Sequence, residues 1–207
     1  MAFRKSVVLS FGLLLIYSAS LAAAKPDLWD FWMRNDPASK KTVDHSAWDQ
    51  FLQSYLVKRN GEVNRVQYGQ VSTADQAKLT DYIKKLEQTA VSRLNRAEQK
   101  AFWINLYNAL TVKVILDHYP VKSIRDIDIS PGLFSNGPWG KKLAIIENQK
   151  VSLDDIEHRI LRPIWKDARV HYGVNCASIG CPNLQSAAYT IDNTEDLLEK
   201  GAYEYIN

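Results

Sequence analysis

Cysteine occurs only twice in the 207 residues, at Cys176 and Cys181, and histidine only four times. The C-x-x-x-x-C spacing is not the C-x-x-C of thioredoxin-type motifs, so a disulfide oxidoreductase has little support. His171, Cys176 and Cys181 follow an H-x4-C-x4-C spacing that matches no common zinc template, so no metal and no other cofactor is expected. A surplus of charge is missing too. The chain carries +3, and removing an N-terminal leader with Arg4 and Lys5 but no acid leaves 24 basic against 23 acidic residues, or +1. Such a balance gives no electrostatic case for nucleic acid or an anionic membrane surface. Internal repeats and low-complexity runs are also absent.

Residues 1–24 read as a signal peptide. Arg4 and Lys5 form its positive start, Val7 to Leu21 is mostly apolar, and Ala22-Ala23-Ala24 offers the small residues that a signal peptidase reads. The apolar stretch is short for a membrane span, so no stable span is expected after cleavage; an uncleaved N-terminal anchor is the alternative. No cysteine near the cleavage point provides for lipid attachment. The expected location is the periplasm or the exterior.

Residues 25–44 read as a loosely ordered lead-in whose Trp29, Phe31 and Trp32 can dock onto the domain, and 45–207 as one domain with a real core. Helical spacing runs through Trp48, Phe51, Leu52, Tyr55 and Leu56, and again through Leu79, Ile83 and Leu86 behind a Ser72 or Thr73 cap. Val63, Val66 and Tyr68 suggest a short strand between them. The longest element spans about Arg96 to Tyr119, with Asn95 and Glu98 as a capping box and Pro120 as its stop. Apolar almost all round, it is expected to be the buried central helix. Residues 121–141 form a long connection with turn residues around Trp139, suited to a lid or binding loop with exposed aromatics. Leu143–Ile146 is expected to be a strand, Ser152 to cap a helix up to Pro163, Arg169–Val174 to be another strand, and Asn193 or Thr194 to start the last helix. The class is therefore α+β: helices packed around a small, mostly antiparallel sheet.

Reactive side chains concentrate in Val170–Cys181. Cys176 is the candidate nucleophile, followed by small residues whose N–H groups can hold an oxyanion. His171 is the local candidate base, but on a continuous strand it points away from Cys176. His158 is the other candidate; on an α-helix it points with Leu161 and away from Glu157. Either histidine can equally be structural. Asn105 and Asn108, one turn apart on the central helix, either join the site or tie loops to the core. Alternatively, Cys176 and Cys181 form a structural disulfide, suited to an oxidising compartment. In a third variant the pair is reversible, with Cys181 resolving an oxidised Cys176. His45, in a polar segment, and His118, at the negative end of the central helix, are not site candidates.

Three segments in order, Glu98–Ala109, Ser152–His158 and Val170–Ser178, resemble the family known as domain of unknown function 547, found in bacterial secreted proteins and in plants. The resemblance covers about residues 45 to 207. It groups Asn105, Asn108, Glu157, His158, His171, Cys176 and Cys181 without conferring an activity, and it implies further strand segments beyond the last helix, so the chain is expected to be truncated. The working expectation is a cysteine-centred hydrolase or acyl/amide transferase. In it Cys176 attacks, His158 or His171 serves as base, Asn105, Asn175 and Glu157 orient or stabilise, and Asn108, Ser178 and Trp139 line the site of a small-molecule or peptide substrate. The competing expectation is a non-catalytic envelope binding domain with a Cys176–Cys181 bridge.

Overall fold

The computed structural model describes residues 27–58, 63–132, 136–178 and 180–207; the expected leader lies outside them. The order is α1 (Ser46–Tyr55), β1 (Leu56–Val57), β2 (Arg65–Val66), α2 (Thr73–Glu87), α3 (Arg96–His118), β3 (Ala144–Ile146), β4 (Gln149–Val151), a π-helix (Asp155–Leu161), α4 (Arg162–Trp165), α5 (Val170–Gly173) and α6 (Thr194–Ile206). The class is α+β, as the sequence implies. The strands form two separate antiparallel hairpins, β1–β2 and β3–β4, and the centre is α3 rather than a sheet.

Every residue of α3 from Glu98 to Val112 is buried, because α2 and the π-helix pack on it. Asn95 caps it, its Oδ1 accepting from the Glu98 N–H at 2.9 Å. The expected capping box does not close. The Glu98 carboxylate instead accepts from the Val43 N–H at 2.7 Å, while Arg96 donates to the Met33 carbonyl at 2.7 Å and Gln99 to the Arg34 carbonyl at 2.9 Å. These bonds fasten the lead-in, whose Trp32 is buried edge-on against Trp103, so residues 27–44 are docked rather than loose. His45 is likewise buried, against the Tyr82 hydroxyl at 2.7 Å, and not in a polar setting.

The β3–β4 turn places Glu147 and Asn148 at φ 45° and 63°, the left-handed pair that a two-residue hairpin requires. Ser152 and Asp155 then bond reciprocally, Asp155 N–H to Ser152 Oγ at 3.2 Å and Ser152 N–H to Asp155 Oδ2 at 2.9 Å, and open the helical stretch 153–165 where expected. The expected strand at Arg169–Val174 is a turn of helix instead, α5. Asp167 starts it by accepting from the Arg169 and Val170 N–H groups, and Val170 and Val174 are buried by tertiary packing, which overrides their β preference. Gly173 belongs here because a Cβ would lie 2.7 Å from Leu198 of α6. Among the described residues no helix is long and apolar enough to cross a membrane.

Candidate functional site

The π-helix determines what the polar side chains can do. Its wider turn bonds residue i to i+5, and the Arg162 N–H accordingly bonds to the Glu157 carbonyl. The side chains follow the same register: Arg162 donates from Nε and Nη2 to Glu157 Oε1 at 3.1 and 2.6 Å. Glu157 is nearly enclosed, 12% exposed, and Tyr107 of α3 donates to its other oxygen at 3.5 Å. Burial, together with the Glu157 and Asp154 carboxylates, holds the Tyr107 hydroxyl well above its ordinary range. Partial burial also raises Asp154, helped by Glu157 and opposed by His158 one turn on.

His171 meets this cluster through Arg162. Its Nδ1 lies 3.2 Å from Arg162 Nη2 and 3.8 Å from Glu157 Oε1. A guanidinium only donates, so Nδ1 is the acceptor and the ring proton sits on Nε2. A carboxylate–histidine pair that makes a base has the opposite polarity, with Nδ1–H donating and the Nε2 lone pair free. Here Nε2–H is a donor to whatever approaches. His171 lies edge-on to Tyr172 and Tyr205, and the Tyr205 hydroxyl donates to the Gly180 carbonyl at 3.2 Å, linking the histidine to the cysteine loop.

In that loop the sulfurs of Cys176 and Cys181 are within bonding distance, with Cα atoms 6.0 Å apart, and no cysteine is free. Three donors, the Ala177 and Cys181 N–H groups and the Asn175 amide, are spent within the loop. Asn175 Oδ1 accepts from the Ala177 N–H at 2.9 Å, Asn175 Nδ2 donates to the Pro182 carbonyl at 2.7 Å, and the Cys181 N–H bonds to the Ser178 carbonyl at 3.0 Å. Asn108 holds the approach to the loop, donating to the Gly173 carbonyl and accepting from the Asn175 N–H, each at 2.9 Å. Asn105 is sealed away, both ends of its amide on the Tyr189 backbone at 2.7 and 2.9 Å.

Glu157 and His171 thus share one neighbourhood through Arg162, Asn108, Asn175, Cys176 and Cys181 another, and Asn105 neither; His158 is exposed on the π-helix and acts electrostatically on Asp154. Trp139 is half-buried, not exposed: it packs, as Ala177 does, against Val114, Ile115, Ile124 and Ile127, and its carbonyl accepts from the Asp154 N–H at 3.1 Å. Ser178 is exposed and lines a groove of about 290 Å³ with Asn64, Tyr68, Ile115, Asn175 and Leu184. Sequence reasoning missed Tyr107, Asp154, Arg162 and Tyr205. Tyr107 and Asp154 stand inside the segments that carried the resemblance, whereas no α-helical rule pairs Arg162 with Glu157. Among the described residues, no three His, Cys, Asp or Glu side chains group to hold a metal.

Fold and site together define an α+β domain whose polar groups gather on a π-helix laid against a buried central helix. Residues 91–206 match the family described as "Protein of unknown function, DUF547". The chain belongs to this family, and the matched region contains every residue of both neighbourhoods. No curated protein and no solved structure shows significant similarity to it.

Proposed function

We propose that this is an exported envelope domain that binds a small molecule or short peptide and carries out no covalent chemistry of its own. The observation that carries the reading is the closed Cys176–Cys181 pair: a bonded sulfur has no thiolate to offer. Closing so short a loop stabilises by roughly 2 kcal/mol through chain entropy, and its consequence here is a fixed wall for the groove. Around the cysteines, the Ala177 N–H that an oxyanion would need is already bonded to Asn175, and the His171 Nδ1 lone pair is bonded to Arg162. The groove pairs apolar Val66, Ile115 and Leu184 with polar Asn175 and Ser178, the mixture that orients a small ligand. Export agrees with the leader and the bridge alike; Lys25 is then the first residue of the processed chain.

A second reading is the hydrolase or acyl/amide transferase with Cys176 as nucleophile. What favours it is Ala177, at φ 57°, since a left-handed turn beside a nucleophile is one way to lift it toward substrate. It needs the bridge reduced first.

The test is a fragment titration of the oxidised protein with short apolar peptides and aromatic amides, followed on the Tyr68 ring and Asn175 side-chain amide resonances. Saturable shifts of both groups, with the Asn175 shift lost in Tyr68→Ala, support the binding domain. A groove that takes no probe, in a protein that turns over thioester or amide substrates after reduction, selects the second reading.

A further inference from the structure

We infer that the chain carries a second ligand site, for a small oxyanion, in the pocket formed by Arg162, Lys166 and His171. This pocket, about 220 Å³, lies between the end of α4 and the start of α5 and shares no lining residue with the groove beside the cysteine loop. Its unused hydrogen-bonding side-chain groups are all donors. Arg162 spends Nε and Nη2 on Glu157 and His171, leaving Nη1 without a partner among the described residues. Because His171 accepts at Nδ1, its Nε2–H is available, and the side chain is 44% exposed. Lys166, in the left-handed conformation at φ 52° that ends the helix, is exposed; its N–H closes the helix on the Arg162 carbonyl at 3.0 Å, and its ammonium has no partner among the described residues.

The only acid lining the pocket is already engaged. Asp167 Oδ1 accepts from the Arg169 N–H and Nε, and Oδ2 from Lys100 at 3.0 Å and Arg169 Nη2 at 2.9 Å. Glu157 balances Arg162, and Asp167 together with Glu195 balances Lys100 and Arg169, so the unbalanced charge of the pocket lining is that of Lys166, with the exposed Glu199 beside Arg169 outside that lining. Three donors and one net positive charge suit a ligand that presents several acceptor oxygens. Carboxylate and phosphate share this chemistry. The Glu157–Arg162 bonds fix the guanidinium beforehand, so ordering it costs a ligand little.

The test titrates the oxidised full chain separately with inorganic phosphate and with acetate, in mildly alkaline buffer at constant ionic strength. The His171 ring resonances are the readout, in wild type and Lys166→Gln. The site predicts a saturable shift, weakened about tenfold in Lys166→Gln, and the anion that saturates at lower concentration identifies the source. A linear shift, or one that Lys166→Gln leaves unchanged, overturns the site. Neither outcome touches the Tyr68 and Asn175 resonances that report on the groove.

Discussion

Glu157 and Arg162 stand five residues apart and are joined twice, through the main chain by the i+5 bond of a π-helix and through the side chains at 2.6 and 3.1 Å. An α-helix would turn the two onto different faces. The wide turn brings the guanidinium between carboxylate and imidazole, and so decides that His171 receives a hydrogen bond from a cation instead of giving one to an anion.

Arg162→Met is expected to release His171 from the Nε2–H form. In the wild type, nitrogen chemical shifts of the ring should report one tautomer; in the variant they should move toward a mixture. Stability should fall by about 2 kcal/mol, because nearly enclosed Glu157 loses two charge-assisted bonds. An unchanged tautomer would mean that Arg162 does not set it.

Asn108→Ala should be among the more damaging polar substitutions on α3. It leaves the Gly173 carbonyl and the Asn175 N–H without their partner, at a cost of about 3 kcal/mol. Urea unfolding measures this. Asn105→Ala should cost a similar amount by freeing Tyr189, without shifting the Asn175 resonances, since Asn105 does not reach the cysteine loop.

His45 makes stability depend on pH. Burial depresses its imidazole from 6.5 to about 4, with Asp44 opposing. The unfolded chain then takes up a proton that the folded chain refuses. The contribution is complete above about pH 6.5, declines as pH falls from 6.5 toward 4, and is lost below, a change of roughly 3 kcal/mol. Urea midpoints across this window should flatten in His45→Gln; an equal slope in the variant would assign the effect to other groups.

Much of this architecture is legible from local chemistry. The long helix announces itself by Asn95, its all-round apolar surface and Pro120; β3 by the run Leu143–Ile146, although residues 149–151, which read as part of a turn, form the partner strand β4; the next helix by Ser152. What is not legible depends on partners distant in sequence. Val170-His171-Tyr172-Gly173-Val174 has strand composition, yet Asp167 and the packing of Gly173 against Leu198 wind it into a turn, which removes the alternation argument that set His171 opposite Cys176. Trp139 lies in turn-rich sequence that suggests exposure, but its ring packs under the connection and needs Gly137, where a Cβ would meet it at 2.2 Å. The π register of residues 155–161 has no sequence signature at all, so the partner of Glu157 could not be read in advance. Tyr205 reaches the cysteine loop from the last turn of α6, a contact that only the assembled fold creates.

The central claim is that Cys176 and Cys181 hold a wall and do not perform chemistry. Alkylation of the oxidised protein with iodoacetamide, without reductant and under native conditions, followed by intact mass, tests it most directly. The account predicts no label on either cysteine until the protein is unfolded and reduced, and the same result in His158→Ala and His171→Ala. A single thiol that labels fast near neutral pH, and slows in either histidine variant, would contradict it.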